Sequence, residues 1–216
     1  LGEDNAVNQV TNSQNNENSE SRSRTNSSTE SQSPSEEESK SERQDTRNGH
    51  FSYKMADPEQ MMVIASYGTG KYQRFESMHP EAAKALMRMI YAARDDDVWI
   101  VPVSGFRTLE RQEKLFQRQI ERFGSEKKAA EVSAPPGYSE HHTGFAIDLT
   151  DGKFPKKDIT KDFQNTKAYN WLTENAKRFD YELSFPPDNS QNINYEPWHW
   201  RYIGTSRARE FFGKAE

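Results

Sequence analysis

The chain has 216 residues, room for one ordinary domain, and its net charge of −5 sits wholly in the first fifty residues, where ten acids face five bases. Residues 51–216 are neutral, so they lack the surplus of Lys and Arg that phosphate backbones demand, and no nucleic-acid partner is expected. The absence of cysteine excludes disulfides and thiolate metal ligands, and no run approaches the ~20 apolar residues needed to span a bilayer.

Residues 1–50 contain no Phe, Trp or Tyr and are dominated by Asn, Ser, Gln, Thr and Glu. Such a segment buries too little apolar surface to offset the entropy of ordering it, and a disordered linker is expected there. The sequence begins at Leu1 rather than Met, which suggests a signal or anchor upstream and a tether role for this linker. His50 is assigned to this tail, and a single folded domain is expected over residues 51–216.

Aromatic residues first appear at Phe51, and Tyr67-Gly68-Thr69-Gly70 marks a turn ahead of a helical stretch. From Pro80 to Arg94, Ala83, Leu86, Met87, Ile90 and Tyr91 recur at helical spacing, with proline in the first turn. The β-branched run Val98–Val103, ended by Ser104-Gly105, predicts a buried strand, and Thr108 caps a second helix carrying Leu109, Leu115, Phe116 and Ile120. Ser133–Tyr138, with two prolines and a glycine, is a loop. Phe145–Leu149 predicts a strand, Thr166–Phe179 a helix, Tyr181–Phe185 and Trp198–Ile203 two more strands, and Ser206–Phe212 a closing helix. Trp198, Trp200 and Tyr202 alternate with His199 and Arg201, and the aromatic side is read as core or cleft wall.

Three stretches concentrate chemistry: Ser104–Thr108, Ser139–Asp148 and Glu196–Trp200. A catalytic zinc site takes three protein ligands from His, Asp and Glu and leaves one position open, which His141, Asp148 and His199 satisfy. A nearby unbound carboxylate must then accept a proton from water, and Glu196, three residues before His199, is best placed. Spacing alone does not separate this from structural histidines. Because adjacent residues in an extended segment face opposite ways, His142 is expected to point away from His141 and to pack or hydrogen-bond elsewhere. His79, without a partner at ligand spacing, is read as a surface or helix-start residue.

The combination resembles the VanY-like D-alanyl-D-alanine carboxypeptidases, within the group named for lysostaphin, D-Ala-D-Ala metallopeptidases and the hedgehog amino-terminal domain. Ser139-x-His141-x-x-Gly144-x-Ala146-x-Asp148 and Glu196-x-Trp198-His199 match the family patterns in order, and Ser104-Gly105-Phe106-Arg107-Thr108 with downstream Gln112 adds a third. The resemblance spans roughly Pro58 to Ile203. It implies an α+β fold of helices on a small, mostly antiparallel sheet, Zn2+ held by His141, Asp148 and His199, and Glu196 as general base. It also implies that Arg107 holds the substrate's terminal peptide segment, that Ser139 assists with its carboxylate, and that a peptidoglycan stem peptide is the substrate, cut outside the cytoplasm. Gln112 is a substrate contact or a solvent-facing helix residue, and Tyr138 lines the cleft or anchors its loop. The activity so implied is removal of a C-terminal D-alanine, a DD-carboxypeptidase. Alternatives are an LD-carboxypeptidase acting on tetrapeptide stems, an L-alanyl-D-glutamate endopeptidase, and a non-catalytic zinc-containing binding module, against which Glu196 argues.

Overall fold

The computed structural model describes residues 45–154 and 158–213. The linker expected over residues 1–50 therefore lies outside the described residues up to 44. From Asp45 onward the expectation is corrected: β1 (Thr46–Arg47) and β2 (His50–Phe51) form a short antiparallel hairpin. His50 is buried, with Nε2 2.8 Å from the Ala130 carbonyl, so it belongs to the folded part. Its burial comes from a segment eighty residues away in sequence, which no local composition reveals.

A second hairpin pairs β3 (Met62–Tyr67) with β4 (Arg74–Met78). The expected turn at Tyr67–Gly70 is present, with Gly68 and Gly70 at positive φ, but it leads into β4 rather than into a helix. Helix α1 (Pro80–Asp95) then starts as predicted, with Pro80 in its first turn and the His79 ring accepting from the Glu81 N–H. His79 is thus a helix cap, and it is buried rather than at the surface.

The principal sheet has four antiparallel strands in the order β5-β6-β8-β7, namely β5 (Ile100–Ser104), β6 (Ala146–Asp151), β7 (Tyr181–Leu183) and β8 (His199–Tyr202). Pro102 is tolerated in β5 because that strand lies at the sheet edge, where one side of the backbone needs no ladder partner. Thr108 caps α2 (Leu109–Phe123) by accepting from the Arg111 N–H, and Gly124 ends it in the left-handed conformation at φ 77°. A short α3 (Glu126–Ala130) follows, packed against α2 through Phe116, Ala129 and Ala130. Helix α4 (Lys167–Asn175) continues as a 3-10 turn to Phe179, so the predicted helix over 166–179 tightens in its last turn. Helix α5 (Ser206–Phe212) closes the chain over the predicted range.

The alternation of β6 and β8 sorts core from cleft. Ile147, Leu149, Trp200 and Tyr202 enter a hydrophobic core with Leu86 and Met89 of α1 and Leu172 of α4. Asp148, His199 and Arg201 take the other parity, and Asp148 and His199 line one cavity with Arg111, Lys114 and Arg118 of α2. The aromatic side of β8 is therefore core, as expected for Trp200 and Tyr202.

Candidate active site

Backbone register does most of the assembly. Asp148 of β6 lies directly opposite His199 of β8, and Ser104 of β5 lies opposite Asp148 on the other side, so the three form one row across the sheet. Cross-strand neighbours on one face are within side-chain reach, so the pairing brings Asp148 and His199 together without a long loop. His141 arrives from a 3-10 turn, Glu140–Thr143, immediately before β6. This corrects the extended geometry expected for His141 and His142. The two rings still diverge, because successive residues of a 3-10 turn point about 120° apart.

His141 Nε2 lies 3.3 Å from Asp148 Oδ2, and His199 Nδ1 lies 3.0 Å from Asp148 Oδ1. One ligand atom from each of the three, all buried, falls within 4.8 Å of the others. The opposite ring nitrogens are engaged elsewhere: His141 Nδ1 is 2.7 Å from the Gly105 carbonyl, and His199 Nε2 is 2.9 Å from Glu140 Oε2. Each imidazole thus turns one nitrogen to the shared space, and the donor set of two nitrogens and a carboxylate suits zinc. His142 stands apart, with Nδ1 on the Arg107 carbonyl at 2.7 Å and Nε2 accepting from the Gly137 N–H at 3.1 Å, the packed role expected of it.

The local field is mixed. Burial, helped by the Arg107 charge, lowers His141 to about 4 against the opposing pull of Asp148. Burial also acts to lower His199, but its hydrogen bonds to Asp148 and Glu140 together outweigh this and push it up to about 10. Asp148, which burial alone would raise, is held well below the usual carboxylate range by His141 and Arg107. Glu196 goes the other way: burial pushes its carboxyl up to about 7. Its Oε2 stands 3.8 Å from His199 Nδ1, on the shared-space side of that ring.

Arg107 is placed by three hydrogen bonds: Nε donates to Ser104 Oγ at 2.9 Å, one terminal nitrogen to Asp148 Oδ2 at 2.5 Å and the other to Gln112 Oε1 at 3.4 Å. These use three of its five N–H donors. Gln112 is fully buried, and its amide nitrogen donates to the Ala134 carbonyl at 2.7 Å. The solvent-facing reading of Gln112 is thus corrected: it is buried beside Arg107 and braces the guanidinium against the 133–138 loop. The reason is that α2 turns this position inward toward that loop, a tertiary contact that helix spacing does not reveal.

Arg107, Ser139, His141, Asp148, Glu196 and His199 all line one cavity of about 640 Å3. Tyr138 lines it too, while its hydroxyl donates to Asp45 Oδ2 at 2.5 Å, so it both faces the cleft and anchors its loop. Trp198 is likewise on the wall. The functional residue that sequence reasoning passed over is Glu140. Its carboxylate accepts from His199, from Ser184 Oγ at 2.6 Å and from Arg201 at 3.1 Å, with Tyr53 Oη at 3.4 Å. Burial would raise Glu140, but His199 and Arg201 bring it down to about 2. A signal for it existed: an acid in the otherwise uncharged or histidine-bearing stretch 139–147, and an arginine on the His199 face of β8.

The sequence model for VanY: D-alanyl-D-alanine carboxypeptidase matches residues 75–205. A D-alanyl-D-alanine carboxypeptidase of Enterococcus faecalis (strain ATCC 700802 / V583) is 32% identical over 138 residues, covering 59% of this chain and 48% of that protein. The chain spans about half the length of such curated relatives. Among solved structures, the LdcB LD-carboxypeptidase superposes with a TM-score of 0.61 at 30% identity, covering 74% of this chain and 80% of that one. The vancomycin resistance D,D-pentapeptidase VanY from a VanB-type cassette, solved as a mutant with Zn(II), gives 0.53 at 27% identity, covering 72% and 87%.

Proposed function

The chain belongs to the VanY family of D-alanyl-D-alanine carboxypeptidases, and on that premise we propose that it is a zinc-dependent carboxypeptidase that removes a C-terminal D-alanine from peptidoglycan stem peptides. The observation that carries this reading is the buried trio His141, Asp148 and His199, with the Glu196 carboxyl on its open side at the wall of a peptide-sized cleft. Those three residues would hold the zinc, which supplies Lewis acidity that polarises a carbonyl and makes a water acidic.

Glu196 is suited to proton transfer by its position and by burial, which brings its carboxyl near neutrality, the range in which one group both accepts and returns a proton. It takes a proton from the attacking water and hands it to the leaving D-alanine amine, with no covalent enzyme intermediate. Arg107 directs its remaining N–H donors at the substrate's terminal carboxylate or at the oxygen that gains charge during attack. Ser104, Asp148 and Gln112 hold the fork in place for that task. Ser139 assists at the carboxylate, and Tyr138 borders the peptide.

A second reading, LD-carboxypeptidase action on tetrapeptide stems, is supported by the likeness to the LdcB LD-carboxypeptidase. Both readings use the same metal and base, and they differ in the stereocentre preceding the bond. Work on stem peptides belongs outside the cytoplasm, and the Asn- and Ser-rich stretch before residue 45 fits a solvated spacer between envelope and enzyme. Mass spectrometry of synthetic tri-, tetra- and pentapeptide stems incubated with the zinc-loaded protein tests the assignment. Loss of one D-alanine from the pentapeptide alone is expected. Shortening of the tetrapeptide alone would replace it with the LD reading, and an untouched set would end both.

A further inference from the structure

We propose that Glu140 is the positioning residue of the metal site, fixing the ring of His199 so that Nδ1, and not Nε2, is presented to the zinc. This rests on the zinc reading above, and it assigns a role to a residue outside the ligand trio and the base.

A neutral imidazole offers one acceptor nitrogen, and the partner of the other nitrogen decides which one it is. On His199, Nδ1 faces Asp148 Oδ1 and Glu196 Oε2, the side on which the trio converges. Nε2 faces Glu140 Oε2 at 2.9 Å. Without metal both nitrogens face carboxylates and both carry protons; the Nδ1 proton, on the ligand side, is the one zinc would displace, while Glu140, outside the trio, holds the proton on Nε2. His141 is fixed in the opposite sense by the Gly105 carbonyl, which frees its Nε2.

Glu140 is itself held rigidly. The Ser184 hydroxyl donates to the oxygen that contacts His199, and Arg201, gripped by Glu182 at 2.6 Å, donates to the other oxygen at 3.1 Å. Arg201 and Glu182 pair across β8 and β7, and Ser184, just past β7, bonds the His199 carbonyl through its N–H. A buried ion pair of this kind is weak evidence for stability, and orienting a ring is a more economical reason for its presence.

The isosteric change Glu140→Gln gives a sharp test. Arg201 accepts no hydrogen bond, so the amide oxygen must turn to it and the amide NH2 must turn to His199 Nε2. That nitrogen then accepts, and the ring proton moves to Nδ1, on the metal side. The expected result is a loss of Zn2+ affinity of about 10- to 100-fold, measured by competition with a chromophoric chelator. In 15N-detected spectra of the histidine rings, the Nε2–H signature of His199 in the zinc-loaded wild-type protein should be lost in the variant.

Should that substitution prevent folding, Glu140→Met combined with Arg201→Met removes acceptor and cation together and should show the same loss of affinity. Glu140→Gln combined with Arg201→Met frees the amide oxygen for His199 and should restore binding to within a few-fold of wild type. Wild-type affinity and an unchanged ring signature in Glu140→Gln, or in the double methionine variant, would overturn the proposal. A wild-type protein that binds no zinc would instead overturn the zinc reading on which it rests.

Discussion

Gly105 carries no side chain, yet it is among the most constrained positions of the site. A methyl group there would meet the Ser77 carbonyl oxygen at 2.3 Å, about 1 Å short of the ~3.3 Å of a close carbon–oxygen contact. The obstacle is backbone, fixed by the Phe106 N–H to Ser77 carbonyl bond of 2.7 Å, so it cannot rotate away like a side-chain end. Relief must come from moving the Ser104–Phe106 segment, whose Gly105 N–H is held by Glu76 Oε2 at 2.9 Å and whose carbonyl holds His141 Nδ1. Gly105→Ala should therefore destabilise the fold by about 1–3 kcal/mol, the usual cost of overpacking, and should also weaken zinc binding through His141. Urea denaturation of the metal-free protein and zinc competition measure the two effects separately. The control is Gly124→Ala at the α2 terminus, with open space around it and only its left-handed backbone to strain; it should cost about 1 kcal/mol and leave zinc affinity unchanged. Gly105→Ala with wild-type stability and wild-type zinc affinity would refute the reasoning.

Glu196→Gln keeps the shape of the cleft and removes the proton acceptor, so kcat should fall by about 10²–10⁴-fold while bound zinc, measured by atomic absorption, stays at the wild-type level. Arg107→Lys keeps the charge but cannot satisfy Ser104, Asp148 and Gln112 with one fork, and a drop in kcat/KM with intact zinc content is expected in steady-state assays. Without metal, His199 is pushed up to about 10, so it is protonated at neutral pH and must lose its Nδ1 proton to serve as a ligand. Zinc affinity should then rise with pH by up to tenfold per unit below that value, and calorimetry in buffers of different ionisation enthalpy should show about one proton released. In the same metal-free protein Glu140, depressed to about 2, contributes stability that is present above its unfolded value near 4.5 and lost as pH falls toward 2. Acid titration of the fold should show that loss; its absence would mean that the Glu140, His199 and Arg201 cluster is not formed.

The parts of this fold that sequence displayed are those in which one element carries its own signal. The stripe Ala83, Leu86 and Ile90 behind Pro80 specified α1, Thr108 specified the start of α2, and the parity of Trp200 and Tyr202 against His199 separated core from cleft. That His141, Asp148, His199 and Glu196 come together was foreshadowed by motif order, because the β6 and β8 register brings Asp148 opposite His199. Hidden parts depended on distant partners. The β1 and β2 hairpin is polar and short, and His50 owes its burial to Ala130. Strand β4 (Arg-Phe-Glu-Ser-Met) follows a turn from which a helical stretch was expected, and its strand character rests on pairing with β3. Gln112 and Glu140 are polar residues whose partners are a loop carbonyl, an arginine and a histidine from other elements, and nothing in their neighbours' hydropathy announces burial.

The central claim is that one zinc ion held by His141, Asp148 and His199 makes this chain a peptidase. It is tested most directly by stripping the protein with a chelator, returning Zn2+ in measured steps, and following D-alanine release from a pentapeptide stem. Activity should vanish on stripping and return linearly to a plateau at one equivalent, and His141→Ala should neither bind the ion tightly nor recover. Undiminished D-alanine release from fully stripped protein would contradict the account.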